Sequence, residues 1–245
     1  MDREFFYKKH RGLGVLDYEK YLNLQQLFNC QKPYEKLSNP DELQFMIVHQ
    51  VEELWMKLIM YSLLDINEML IKKSTNSIVI LFKRVHGIQQ LMIDQLSLLE
   101  TMSPKSFQEF RVKLGSGSGQ DSPGFSMFFP ISHHLWKSFL DSYLGGDKDF
   151  LEKVYQESYN FSEAFLIAEQ LIEFDELFRK FLLHHLQLVE RTLGRGVISN
   201  RSLSTDLLAK TLKVRLFPSL WDVRFKITEE AGEKYGKVRS PLSEV

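Results

Sequence analysis

A single cysteine, Cys30, stands in 245 residues. That excludes an internal disulfide framework and fits a reducing compartment; a lone thiol of this kind is expected as a small buried hydrophobe. No stretch reaches the roughly 20 uncharged apolar residues that span a bilayer. The leading MDREFFYKKHRG also lacks the apolar run of a secretion signal, so the expectation is a soluble, cytoplasmic protein without membrane contact. Charge of one sign is missing too. Lys and Arg number 31 against 32 Asp and Glu, for a net charge of −1, and the signs are interleaved rather than blocked. This excludes the basic footprint of a nucleic-acid binder. Glycine and proline are scarce, 13 and 7 residues, and they gather at a few punctuation points that leave long segments free for helix. No alternating strand pattern, internal repeat or low-complexity tract is present.

What the chain does have is apolar mass: 44% of its residues are hydrophobic, enough for one large domain over residues 1–245. The pattern predicts an all-α helical bundle. An N-terminal arm covers about 1–16, and a short helix runs from about Asp17 to Cys30. Asn39-Pro40-Asp41-Glu42 is a helix start, with an N-cap, a proline in the first turn and two acids on the positive end of the dipole. That helix is predicted to reach about Ile71, with Leu43, Ile47, Val51, Leu54 and Leu58 as its apolar stripe. A second long helix is expected over about Ser77 to Glu100. Ser103-Pro104 opens a shorter one ending near Leu114, by the same cap-plus-proline logic. Gly115 to Gly124 reads as a loop and Gly145-Gly146 as a turn. Helix returns from about Glu163 to Leu193, closed by Gly194, and again over about Thr205 to Val214. The polar tail covers about 229–245.

Seven histidines in a helical bundle invite a metal hypothesis. Phe174, Phe178, Phe181, His185, Leu188 and Thr192 step by four, three, four, three and four, so they share one helix face. Glu173, Lys180, His184, Gln187 and Arg191 occupy the opposite register. The adjacent pair is thus split, His184 towards solvent and His185 towards the core. An imidazole among phenylalanines is either a satisfied core histidine or an axial ligand to something flat and apolar, and this helix alone leaves both readings open. On the first long helix Phe45 and His49 are one turn apart, with Glu52 and Glu53 a further turn on. A di-iron bundle wants two inward Glu-x-x-His pairs, and the chain contains none. Phe107 and Arg111 lie one turn apart at the edge of the glycine-rich loop, where an arginine is either a surface charge or a carboxylate clamp. Gly115 to Gly119 lacks the strand and the spacing of a nucleotide fingerprint, no nucleophile elbow surrounds any serine, and nothing completes a ligand set at His133-His134.

Three segments together resemble tryptophan 2,3-dioxygenases, an all-helical haem enzyme family. DELQFMIVHQVEELWMKL (Asp41 to Leu58) is similar to the family's distal-histidine helix. SPKSFQEFRVKLGSGSG (Ser103 to Gly119) is similar to the segment with the substrate-carboxylate arginine, and FRKFLLHHLQLVERTLG (Phe178 to Gly194) resembles the helix with the proximal haem ligand. DYEKYLNLQQLFNCQ resembles the segment that reaches into a neighbouring subunit's pocket, and LFPSLWDVR (Leu216 to Arg224) also looks familial. The match runs in order over roughly Asp17 to Phe225. It departs after the proximal helix, where GRGVISNRSLSTD (Gly194 to Asp206) replaces the family's glycine-threonine-glycine-glycine loop, and again in QDSPGF.

The resemblance implies haem b carried by His185 as proximal iron ligand. His49 would be the catalytic residue that meets the substrate's ring N–H or hydroxyl, Phe45 and Phe107 would pack on the ring, and Arg111 would pair with a carboxylate. It implies that Tyr18, Tyr21 and Leu22 complete a neighbour's pocket in a homo-oligomer, with a tetramer favoured. The implied activity is an oxidoreductase inserting oxygen from O2, or from peroxide, into an indole or aromatic amino acid by dioxygenation. The departures leave open tryptophan, a substituted indole or tyrosine as substrate, and a haem-dependent monooxygenase or hydroxylase as the alternative reaction. From another class, the alternative is a non-catalytic helical interaction protein.

Overall fold

A computed structural model of the chain describes residues 2–115, 119–156, 161–194 and 212–230. Among the described residues every regular element is helical. Two long helices dominate: α4 (Pro40–Ile71), 32 residues and about 48 Å at 1.5 Å per residue, and α10 (Glu163–Leu193), 31 residues. Their ends follow local chemistry. The Asn39 side chain accepts from the Glu42 amide at 3.3 Å, with Pro40 opening the first turn. Ser162 caps α10 by accepting from Phe165 N, and Gly194 leaves it at φ 87°, a left-handed conformation that a glycine adopts without a Cβ penalty.

Before α4 lie α1 (Arg3–Arg11), α2 (Asp17–Tyr21) and α3 (Leu24–Leu27), none with a buried residue. The expected arm is therefore partly helical. The single helix predicted over Asp17 to Cys30 is two, because Asn23 takes the left-handed region at φ 54°, which asparagine tolerates better than most residues. Cys30 is exposed rather than buried, with its thiol donating to Gln26 O at 3.3 Å; so few of its neighbours pack that there is no core for it to enter.

After α4 come α5 (Thr75–Leu99), α6 (Pro104–Arg111), continued by a 3-10 turn at Val112–Leu114, the single-turn α7 (Pro123–Ser126), α8 (Phe128–Tyr143) and α9 (Phe150–Gln156). α11 (Pro218–Glu230) follows α10 in the described chain. Gly145 and Gly146 make the turn after α8 with φ of 63° and 81°. The helix expected over Thr205 to Val214 falls largely outside the described residues, with Leu212 and Lys213 in a turn; the loop at 195–206 and the tail from 231 also lie outside them.

α4 packs on α5 and α8, and α5 on α10. The main core joins Ile59, Leu63 and Ile66 of α4 to Phe82 and Val85 of α5, Leu135 and Phe139 of α8, and Leu171, Phe174 and Phe178 of α10. A second, smaller cluster closes one end: Val48, Leu96, Leu99, Met102, Phe110 and Leu188, with Phe45, Phe107 and Phe181 packed against it. The stripe expected on α4 is not the buried one. Ile47, Leu54 and Leu58 are exposed, whereas Val48, Glu52, Met56, Ile59, Leu63, Ile66 and Leu70 face inward. The inward register contains a glutamate, so the outward register looks like the more apolar face.

Candidate functional site

His49 sits on α4 one turn after Phe45, with the two ring centroids 4.0 Å apart. Its Nδ1 lies 2.7 Å from the Phe45 carbonyl oxygen. A carbonyl can only accept, so the proton belongs on Nδ1 and Nε2 keeps its lone pair. Burial pushes the imidazole below its ordinary pKa, against the opposing pull of the Phe45 carbonyl and the Glu53 carboxylate. The ring is therefore neutral at pH 7 and offers an acceptor at Nε2.

His185 lies on the phenylalanine face of α10, stacked on Phe181 at 6.2 Å and 9°. Burial, with smaller contributions from His49 and His184, pushes it down to about 4. It too is neutral, and no hydrogen bond engages it among the described residues. Phe45 and Phe181, the ring neighbours of His49 and His185, pack against the same small apolar cluster, which sets both imidazoles at that end of the bundle. Gly119 lies against the second: a Cβ there would stand 3.9 Å from both Cε1 and Nε2 of His185. His184, expected to look into solvent, instead places Nε2 2.7 Å from Glu100 Oε1 at the end of α5, an inter-helix partner that the periodicity of α10 alone does not reveal.

The aromatic wall is continuous with His49. Phe45 approaches Phe107 at 5.9 Å and the buried Phe110 at 5.3 Å. Arg111, at the end of α6, is partly buried; its guanidinium reaches only Gln108 Oε1, at 3.1 Å, and forms no ion pair among the described residues. Phe45, His49 and Phe107 are thus assembled, with Arg111 one turn from Phe107. Tyr18, Tyr21 and Leu22 are 71%, 89% and 42% exposed.

Two features escaped the sequence reading. Glu53, one turn after His49, accepts from Ser122 Oγ at 2.5 Å and from the Gly124 amide at 3.2 Å. Ser122 in turn caps α7, its Oγ accepting from Phe125 N at 3.0 Å. Ser122-Pro123 repeats the cap-plus-proline signature of Ser103-Pro104, which was the available signal. Glu52, also on α4, is 7% exposed, and its Oε1 has no hydrogen-bond partner among the described residues. Burial raises its carboxyl to about 7, against a hydrogen bond from Gln95.

The donor set fits haem better than a bare ion. Among the described residues no three His, Cys, Asp or Glu side chains converge as ion ligands, whereas a macrocycle brings its own four nitrogens and asks the protein for one neutral imidazole. His185, flanked by the Phe181 ring and without a hydrogen bond among the described residues, has the chemistry of such an imidazole. The segment at Gly119 rests against it. A cavity of about 160 Å³ lined by Phe129, His133, Trp136, Arg215, Leu216 and Pro218 lies elsewhere and contains none of these residues.

Fold and site define an all-helical protein with a pair of neutral imidazoles set among phenylalanines. Comparison with known proteins narrows this. The family model described as tryptophan 2,3-dioxygenase matches residues 7–129, the span that holds Phe45, His49, Phe107, Arg111 and Gly119. Curated relatives extend the similarity beyond it. The tryptophan 2,3-dioxygenase of Serratia proteamaculans is 27% identical, over 86% of this chain and 93% of the relative. That of Herpetosiphon aurantiacus is 29% identical over 86% and 98%, and that of Myxococcus xanthus 27% over 88% and 91%. The chain belongs to the tryptophan 2,3-dioxygenase family and is by that kinship an oxidoreductase of dioxygenase type. No described helix is long and apolar enough to cross a membrane.

Proposed function

We propose that this protein is a haem-dependent oxygenase that inserts oxygen from O2 into an indole or aromatic amino acid. The observation that carries the reading is His185: a neutral imidazole, unengaged by hydrogen bonds among the described residues, at the same end of the bundle as a second neutral imidazole, His49, whose Nδ1 proton is held by Phe45 O. His185 would hold haem b, which supplies the oxygen chemistry when bound.

The chain's own residues supply binding and orientation. Phe45 and Phe107 present an apolar wall for an aromatic ring. Nε2 of His49, unprotonated because Nδ1–H donates to Phe45 O, accepts the ring N–H and so orients the substrate. Arg111 has donors to spare for a bidentate carboxylate. Closure of the glycine segment over the site excludes water. The exposed tyrosines of α2 complete a neighbouring subunit's site in a homotetramer, and the chain acts as one domain in the reducing cytoplasm, where the exposed Cys30 stays a thiol.

Product identification tests the reading. Reduced holoprotein incubated with tryptophan, tyrosine and simple indoles under O2 should yield, by mass spectrometry, a product carrying two added oxygen atoms. A product with one added oxygen would make it a hydroxylase, and no oxidised aromatic product would end the oxygenase reading.

A further inference from the structure

Two hydrogen bonds converge on one carboxylate that the proposed chemistry does not use. Glu53 holds Ser122 Oγ at 2.5 Å and the Gly124 amide at 3.2 Å, one partner for each of its oxygens. The contact is close enough to require glycine: a Cβ on Gly124 would stand 2.8 Å from Glu53 Oε2 and 2.8 Å from Met56 Cβ. Five residues upstream, Gly119 rests on the Nε2 edge of His185. The two contacts are joined by a short 3-10 turn, Gly119–Asp121. A segment fastened at one end to α4 therefore covers, at its other end, the donor atom on α10.

We infer that Glu53 is a positioning residue, a latch that fixes the Gly119–Ser126 segment over His185 and whose release gates access to that histidine. The gating half rests on the haem reading above; the latch half does not. Two donors meet two carboxylate oxygens, a charge-assisted arrangement stronger than its neutral counterpart. A glutamine at this position keeps the shape but loses the charge: its carbonyl oxygen can accept from the Gly124 amide and its NH2 can donate to Ser122 Oγ, so two neutral hydrogen bonds replace two charge-assisted ones.

The test follows amide exchange of peptides covering 119–126 in the full-length apoprotein, by hydrogen–deuterium exchange and mass spectrometry. Glu53→Gln and Ser122→Ala should speed exchange there by about tenfold or more, while Ser122→Thr, which keeps the hydroxyl, stays near wild type. Gly124→Ala should do the same as Glu53→Gln by steric displacement with the carboxylate intact. Glu52→Gln, which alters the neighbouring carboxyl facing α5, should leave 119–126 unchanged. Equal acceleration in Glu52→Gln, or none in Glu53→Gln, overturns the latch. Stopped-flow mixing of apoprotein with haem then tests the gate: Glu53→Gln should develop its Soret band several-fold faster than wild type. Equal rates overturn the gate. Absence of any Soret band in wild type overturns the haem reading, while the exchange result still decides the latch.

Discussion

The imidazole of His49 donates from Nδ1 to the carbonyl oxygen of Phe45, one turn earlier on the same helix, at 2.7 Å. This bond settles which nitrogen faces the site. A neutral ring so held offers a lone pair at Nε2, an acceptor suited to an indole N–H and unsuited to a carbonyl. His49→Ala is expected to weaken a free indole about tenfold, the worth of one ordinary hydrogen bond of about 1–1.5 kcal/mol. An N-methylated indole has no proton to give and should bind both proteins equally. Equal losses for the two ligands, measured by spectroscopic titration, would mean that His49 acts by packing alone.

Arg111 is expected to matter in proportion to the substrate's carboxylate. A bidentate pair is worth roughly 1.5–3 kcal/mol, so Arg111→Leu should weaken an amino-acid substrate by about one to two decades and leave a simple indole almost unaffected. Titration of both ligands against both proteins reads this directly.

Glu52 makes stability depend on pH. Its carboxyl sits at about 7 in the fold, raised by burial, against an ordinary value of 4.5. Between those values the folded state binds the proton and the unfolded state does not, so stability falls as pH rises through the window. The full loss is bounded by about 3.4 kcal/mol, at 1.36 kcal/mol per pH unit. Glu52→Gln keeps a neutral polar group there, and urea unfolding between pH 4.5 and 8 should show its curve flat where the wild-type curve declines. Parallel curves would place the proton elsewhere.

Much of this was legible in the sequence because it is local. The Asn39-Pro40 and Ser103-Pro104 starts and the extent of α4 and α10 all follow from caps and periodicity. What failed depends on neighbours. The buried face of α4 was misassigned because Glu52 sits in it, and no single-helix pattern explains a buried acid. His184 finds Glu100 on α5, 84 residues away, and Glu53 finds Ser122 across 69 residues. α8 was not among the expected helices; it begins with Phe128-Phe129-Pro130, the proline standing in the first turn, where it is tolerated.

Exposed Tyr18 and Tyr21, with Leu54 and Leu58 of α4, leave apolar surface that a neighbouring subunit would cover. Light scattering should find a homo-oligomer of four chains. A stable, active monomer would remove the α2 tyrosines from the site.

The central claim is that His185, and not its neighbour, carries the haem. Wild-type protein and His184→Ala, each reconstituted with haem and freed of excess, should show the same Soret band, and His185→Ala should lose it. Equal loss in both histidine variants, or full retention in His185→Ala, would contradict the account.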